Sequence, residues 1–359
     1  MMRSASRLAI LLMSIAMVGH LEAADSIMSL DRSYTGVFFT DARHGYVYGD
    51  AIIATDDGGR SWRLVRDHTS PLSLSFVDGR TFWMLEGSGE LFRFVAGGRD
   101  FAVSRPHLPG EREEDAPECV STFALGAKLG WVACGARLLA TTDGGNTWEA
   151  RLLPPGWKDL RAVWMVDEQH GLGAFSDGAV MGRTSDGGAT WSRSASDRQI
   201  ASLSCTRRGF CAWLAGPHGP LYVSTDLGGS WRDTAMPVEL PDRDKILAIH
   251  AVRPGLVIAA GTALGFSYLE EVKPFIGRGV QIPAFPPPKA LLLVWDGTRW
   301  TRFTHAEPRQ LQAVQFVDGS NGWLVGDEDL VFETNDGGAT LERIPDYFSR
   351  IAASLPPSR

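Results

Sequence analysis

Thr55-Asp56-Asp57-Gly58-Gly59-Arg60-Ser61-Trp62 is the stretch that decides the fold. Its form is Ser/Thr-x-Asp-x-Gly-x-Ser/Thr-Trp. It returns at 141–148, 184–191 and 224–231, and a fifth copy at 334–341 ends in Leu341 instead of Trp. The motif acids are Asp57, Asp143, Asp186, Asp226 and Asp336, and the motif indoles are Trp62, Trp148, Trp191 and Trp231. Adjacent copies lie about 40 residues apart, the period of a four-stranded propeller blade. From the first copy to the second is about two periods, and from the fourth to the fifth nearly three. Each gap holds a degraded copy. In the first, 91–94 leads into Gly97-Gly98-Arg99-Asp100-Phe101; in the second, 291–295 leads into Asp296-Gly297-Thr298-Arg299-Trp300. Five clear copies and two degraded ones predict an all-β, seven-bladed propeller of four-stranded blades.

Each period carries the same four short apolar runs. In the last they are 311–317, 322–326, 330–334 and 340–343; in the fourth they are 160–166, 171–175, 179–184 and 190–193. Short strands separated by Gly/Asp turns are the expected form of a blade. The motif falls on the hairpin between third and fourth strands. Its two glycines permit the positive φ of a tight or bulged turn. Its Asp can accept the N–H groups that the turn leaves free, and its Trp starts the outer strand and packs between neighbouring blades. A calcium role for the Asp residues is disfavoured, because each copy supplies too few carboxylates for an oxygen shell. No cofactor and no metal site is expected.

These repeats resemble the BNR/Asp-box superfamily. The wider phrase narrows the resemblance. Leu311-Gln312-Ala313-Val314-Gln315-Phe316-Val317-Asp318, then Asn321-Gly322-Trp323-Leu324-Val325-Gly326, then Thr334-Asn335-Asp336-Gly337-Gly338, is similar to the repeat of the photosystem II stability/assembly factor family. That resemblance covers most of 35–345. It implies a seven-bladed propeller, exported across a membrane, that helps assemble membrane protein complexes without being an enzyme.

The N-terminus reads as a Sec-type signal peptide over 1–23. Arg3 and Arg7 precede the apolar stretch 8–18, and Leu21-Glu22-Ala23-Ala24 offers a cleavage site after Ala23. The apolar stretch is short for a membrane span, so a periplasmic or secreted protein is expected. The remainder, 24–359, reads as one propeller domain with a blade-six insertion at about 264–289, and as a monomer. An exported chain permits disulfides. The repeat frame places Cys119 opposite Cys134 in blade three and Cys205 opposite Cys211 in blade five. The formal net charge is -7 and no basic cluster is present, which argues against a nucleic-acid partner.

The alternative is a carbohydrate-binding or glycan-hydrolysing, sialidase-like propeller. Sialidases place Arg-Ile-Pro before the first Asp box; here Arg343-Ile344-Pro345 follows the last one. The tyrosines Tyr46, Tyr48 and Tyr222 fall in predicted strands. No His/Cys metal spacing, phosphate loop or nucleophile elbow is present, and no catalytic residue is assigned. The expected function is therefore a scaffold for a protein partner, such as a membrane complex or export machinery. Its binding surface is expected opposite the Asp boxes, where acidic turns and two long loops converge. The candidates there are Glu86, Glu113, Glu114, Asp177, Tyr268, Glu270, Glu271, Phe275, Arg278, Phe285, Asp327, Glu328 and Asp329.

Overall fold

The computed structural model describes residues 33–345, apart from 96–99, 113–117, 158–159, 176–179, 197–199, 217, 237–243, 264–288, 306–309 and 327–329. They form seven sheets, each of four strands consecutive in the chain and paired antiparallel. The chain is a seven-bladed β-propeller, with no helix among the described residues. The first strands of the blades are Tyr34–Phe39, Pro71–Phe76, Cys119–Ala124, Leu160–Met165, Ile200–Cys205, Lys245–Arg253 and Leu311–Phe316. They line the central channel.

Burial follows strand position. Second and third strands such as Gly130–Cys134 and Ala51–Thr55 are sandwiched between neighbouring blades and are buried throughout. They therefore read as continuous apolar runs rather than as alternating ones. The fourth strands form the rim, and Arg232–Asp233 and Glu342–Arg343 are exposed.

The Asp motif closes the hairpin between third and fourth strands in blades one, three, four, five and seven. In blade one, Asp57 Oδ1 accepts the Ser61 N–H at 2.7 Å and the Thr55 hydroxyl at 2.9 Å, while Oδ2 accepts the Ser61 hydroxyl at 2.6 Å. Asp143, Asp186, Asp226 and Asp336 repeat this set. The Thr147 N–H and hydroxyl hold the Asp143 carboxyl down at about 2. Both oxygens of each carboxylate are thus engaged by the turn itself. Blade six keeps a shorter version, in which Asp296 accepts the N–H groups of Thr298 and Arg299.

The same turns join the blades. Gly59 has φ +96°, and a methyl there would strike Ile344 of blade seven. Gly188, its counterpart in blade four, faces Leu138 of blade three in the same way. The indole N–H of Trp131 in blade three donates to Gly187 O at 3.1 Å, and that of Trp323 in blade seven donates to Gly58 O at 3.4 Å. Blade seven is therefore bonded to blade one as blade three is to blade four. Three further contacts seal that boundary. Phe39 stacks on Trp323 with centroids 3.6 Å apart. Gln315 Nε2 donates to Phe39 O at 3.0 Å, and the Phe39 N–H donates back to Gln315 Oε1. Ile344, the centre of the Arg-Ile-Pro tripeptide, is thus a packing residue at the ring closure.

Both disulfides are formed. Cys119–Cys134 joins first and second strands of blade three at the end away from their hairpin, and Cys205–Cys211 brackets the hairpin of blade five. Loops of 15 and 6 residues correspond to about 2–3 kcal/mol each by loop-closure entropy.

Candidate functional site: the central channel

The Asp boxes lie on one face of the ring, here the box face. Because every sheet is antiparallel, the turns between first and second strands open on that same face, nearer the axis. Loops between second and third strands and between blades open on the opposite, connector face.

A cavity of about 700 Å³ fills the box-face half of the channel. It is lined by the last residues of the first strands and by the turns that follow them. Aromatic side chains share its walls with Ser, Thr and aliphatic ones. Phe38 stacks on Phe76 with centroids 4.3 Å apart, and Phe123 meets Trp164 at 4.8 Å. Tyr48 lies beneath, where burial pushes its phenol up to about 12. Gly36 is bare because any Cβ there would fall within the Tyr48 ring.

Polar groups of the wall are mostly spent on neighbouring blades. The Ala124 N–H donates to Ser75 Oγ at 2.9 Å, and the Ala251 N–H to Ser204 Oγ at 3.0 Å. His250 donates from Nε2 to Phe316 O at 3.0 Å. Burial outweighs that bond in its effect on charge and pushes the His250 imidazole down to about 4, so it is neutral at pH 7. The indole N–H of Trp164 is buried and meets no acceptor within the protein.

A second repeated acid appears at the mouth. Asp41, Asp78, Asp167 and Asp318 occupy equivalent turns in blades one, two, four and seven. Each accepts two N–H groups two and three residues on; for Asp78 these are Arg80 and Thr81, both at 2.7 Å. The turn backbone is common to the blades: Val77 N donates to Thr81 O, Val166 N to His170 O, Val317 N to Asn321 O, and in blade five Thr206 N to Phe210 O. In blade five, however, the acid's place is taken by Arg207. In the shorter turn of blade six Arg253 stands nearby, and in blade three Gly126 fills the position. Arg207 reaches over the mouth and donates from Nη2 to Val77 O of blade two at 2.7 Å. This second motif was visible in the sequence as an acid four residues before the start of the second strand, at Asp41–Gly45, Asp167–Gly171 and Asp318–Gly322. It is shorter and more degenerate than the Asp box, so a single copy does not stand out in the sequence.

On the connector face, Glu86 is the one partner-binding candidate among the described residues. Its carboxylate lies 3.5 Å from Arg66 and is mostly buried, with the Arg66 guanidinium 4.2 Å above the Phe92 ring. Glu113, Glu114, Asp177, Tyr268, Glu270, Glu271, Phe275, Arg278, Phe285, Asp327, Glu328 and Asp329 lie outside the described residues. Other described carboxylates of this face are also engaged. Glu111 pairs with Arg137 at 2.9 Å, and buried Asp244 with Arg302 at 2.7 Å. No grouping of three His, Cys, Asp or Glu able to hold a metal occurs among the described residues. Among the described residues no helix long and apolar enough to cross a membrane occurs.

The fold matches solved structures. YCF48 bound to a D1 peptide superposes with a TM-score of 0.60 at 16% identity, over 85% of this chain and 94% of that one. The likeness is one of fold. YCF48 from Cyanidioschyzon merolae matches at 0.57 and 16%, over 86% of this chain and 97% of that one. Enzymes share the architecture as well. The GH74 xyloglucanase of Xanthomonas campestris matches at 0.58 and 13%, over 86% of this chain but 52% of its own. A streptogramin B lyase matches at 0.59 and 11%, over 87% and 94%. No protein-family model matches the sequence, and no curated protein does.

Proposed function

We propose that the chain is an exported, non-enzymatic propeller scaffold that binds a protein partner and aids assembly or function of a membrane complex or export system. The observation that carries this reading is the channel cavity. It is lined in part by aromatic side chains and has a volume that suits the anchor residues of a ligand. The repeats resemble those of photosystem II stability/assembly factors, and YCF48, which shares the fold, was solved with a peptide bound. Two disulfides favour an oxidising compartment, in keeping with a signal peptide at 1–23.

The state of the mouth carboxylates also supports a binding role. A glycosidase needs one carboxyl group with a raised pKa to serve as general acid. Hydrogen bonds from the Asn321 N–H and side chain lower Asp318, and Asp41 and Asp167 are lowered by their turn bonds against the opposing effect of burial. Such groups are poor proton donors near neutral pH. The xyloglucanase likeness and the aromatic wall favour one second reading, a glycan-binding or glycan-cleaving channel.

Affinity capture of the protein from its native envelope, with mass spectrometry, run beside a glycan binding and turnover screen, separates the two readings. The scaffold reading expects one protein to be recovered reproducibly and at near-stoichiometric level, with no glycan turnover. Turnover of any glycan, abolished by substitution in the channel, would contradict it.

A further inference from the structure

Four blades place an acid at the channel mouth, and blade five replaces it with Arg207 on a turn that keeps the same framing bond, Thr206 N to Phe210 O. An acid in this turn is consumed by backbone N–H groups. An arginine cannot accept them, so its side chain is released from the turn. The Arg207 guanidinium accordingly extends across the mouth and makes one bond to a backbone carbonyl, Val77 O. Five N–H donors on a planar fork suit a carboxylate far better than a single neutral carbonyl. Arg207 is exposed and lines the cavity whose wall is Phe38, Phe76, Phe123 and Trp164.

Trp164 contributes aromatic surface to the wall. Several indoles have a buried N–H with no acceptor within the protein: Trp62, Trp83, Trp148, Trp164, Trp213 and Trp300. Among these, Trp164 alone lines the cavity. Its N–H is buried, so Trp164 offers the cavity its ring rather than a donor. The one carboxylate on the cavity wall, Asp78, has Oδ1 occupied by two N–H groups of its own turn. The aromatic side chains of the wall beside the Arg207 guanidinium suit an apolar body next to an acceptor of negative charge.

We infer that the box-face mouth of the channel is a recognition site for an acidic–aromatic segment of the partner protein. Arg207 takes the segment's carboxylate, and the Phe38/Phe76/Phe123/Trp164 wall takes the neighbouring aromatic side chain. This rests on the scaffold reading and deepens it by naming the face and the partner's chemistry. It moves the working surface from the connector face, expected from the sequence, to the box face.

The test uses the full mature chain and three fluorescein-labelled heptapeptides, amidated at the C-terminus. Each has a central phenylalanine, flanked by two glutamates, two glutamines or two lysines. Anisotropy is measured for the native protein, Arg207→Gln, Arg207→Glu and Trp164→Phe. Unchanged melting temperatures for the Arg207 variants establish that they fold, since that side chain makes a single exposed bond. The expected result is tightest binding of the glutamate peptide. Arg207→Gln should weaken it at least tenfold, Arg207→Glu should reverse the preference toward the lysine peptide, and Trp164→Phe should weaken it a few-fold. Equal binding of the three peptides, no binding of any, or unchanged binding by Arg207→Glu overturns the inference. Tighter binding of free 3-phenylpropionate than of the glutamate peptide also overturns it, in favour of a small-molecule site. Envelope capture with Arg207→Glu distinguishes this failure from failure of the scaffold reading: a partner retained by native and variant proteins alike leaves the scaffold standing and removes the site.

Discussion

The box face carries two concentric belts of turns, and they depend on the same amino acid to different degrees. In the outer belt, five aspartates lock third-to-fourth-strand hairpins, and every carboxylate oxygen is engaged by its own turn. In the inner belt, four aspartates do a lighter version of that task. Elsewhere in that belt the acid is gone, and blade five carries a cation that extends across the channel. A repeat that needs its acid for the turn keeps it. A repeat whose backbone frame holds without the acid, as Thr206–Phe210 shows, is free to present another side chain to a ligand.

If the outer belt is structural, its truncation should be expensive. The largest effect is expected from Trp148→Ala. Trp148 is 5% exposed and meets Trp83 of blade two edge-on at 6.5 Å. Removing it leaves a cavity between blades that should cost about 3–5 kcal/mol in chemical denaturation. Asp186→Ala comes next. It frees the Thr190 N–H and two hydroxyls, and should cost about 1–3 kcal/mol. A cost within about 0.5 kcal/mol, the range of ordinary surface changes, would erase the distinction between the belts.

Acid titration sharpens the comparison. Asp143, Asp226 and Asp336 titrate near 2 in the folded protein, below their unfolded value of 3.8. Their contribution is present above about pH 4 and is lost as pH falls through about 2. Channel-lining His250 acts earlier. Its folded value, about 4, lies below the unfolded 6.5, so on acidification the unfolded chain takes up a proton that the folded one refuses. Stability should therefore decline between about pH 6.5 and 4, and His250→Gln should flatten that part of the curve. A slope unchanged in this variant would remove His250 as the cause. The smallest effect belongs to Arg207→Ala, expected within about 0.5 kcal/mol of native stability, as for surface substitutions.

The fold was legible because its signal is repeated. One Asp-Gly-Gly turn is weak evidence, but five in register at blade spacing specify both the hairpin and the ring, and the two decayed copies at 97–101 and 296–300 restore the count. The disulfide pairs followed from the frame, since Cys134 and Cys211 fall at the two ends of a second strand. The site was less legible. Acid-rich loops suggested the connector face, yet Glu86 and Glu111 prove to be paired with Arg66 and Arg137, which are remote from them in sequence. Net charge along the chain does not reveal such pairing. Arg207 was hidden for a different reason: its meaning depends on alignment with the aspartates of other blades and on a bond to Val77, 130 residues away.

If the inner belt is the binding site, a protein partner engages it and leaves the outer belt untouched. Site-specific photocrosslinking in the native envelope tests it most directly, with benzoylphenylalanine placed at Val252 in the channel wall or at Arg60 in an outer-belt turn. The expected result is one discrete crosslinked protein from position 252 that Arg207→Glu abolishes, and none from position 60. The same adduct from position 60, or no protein adduct from position 252, would contradict it.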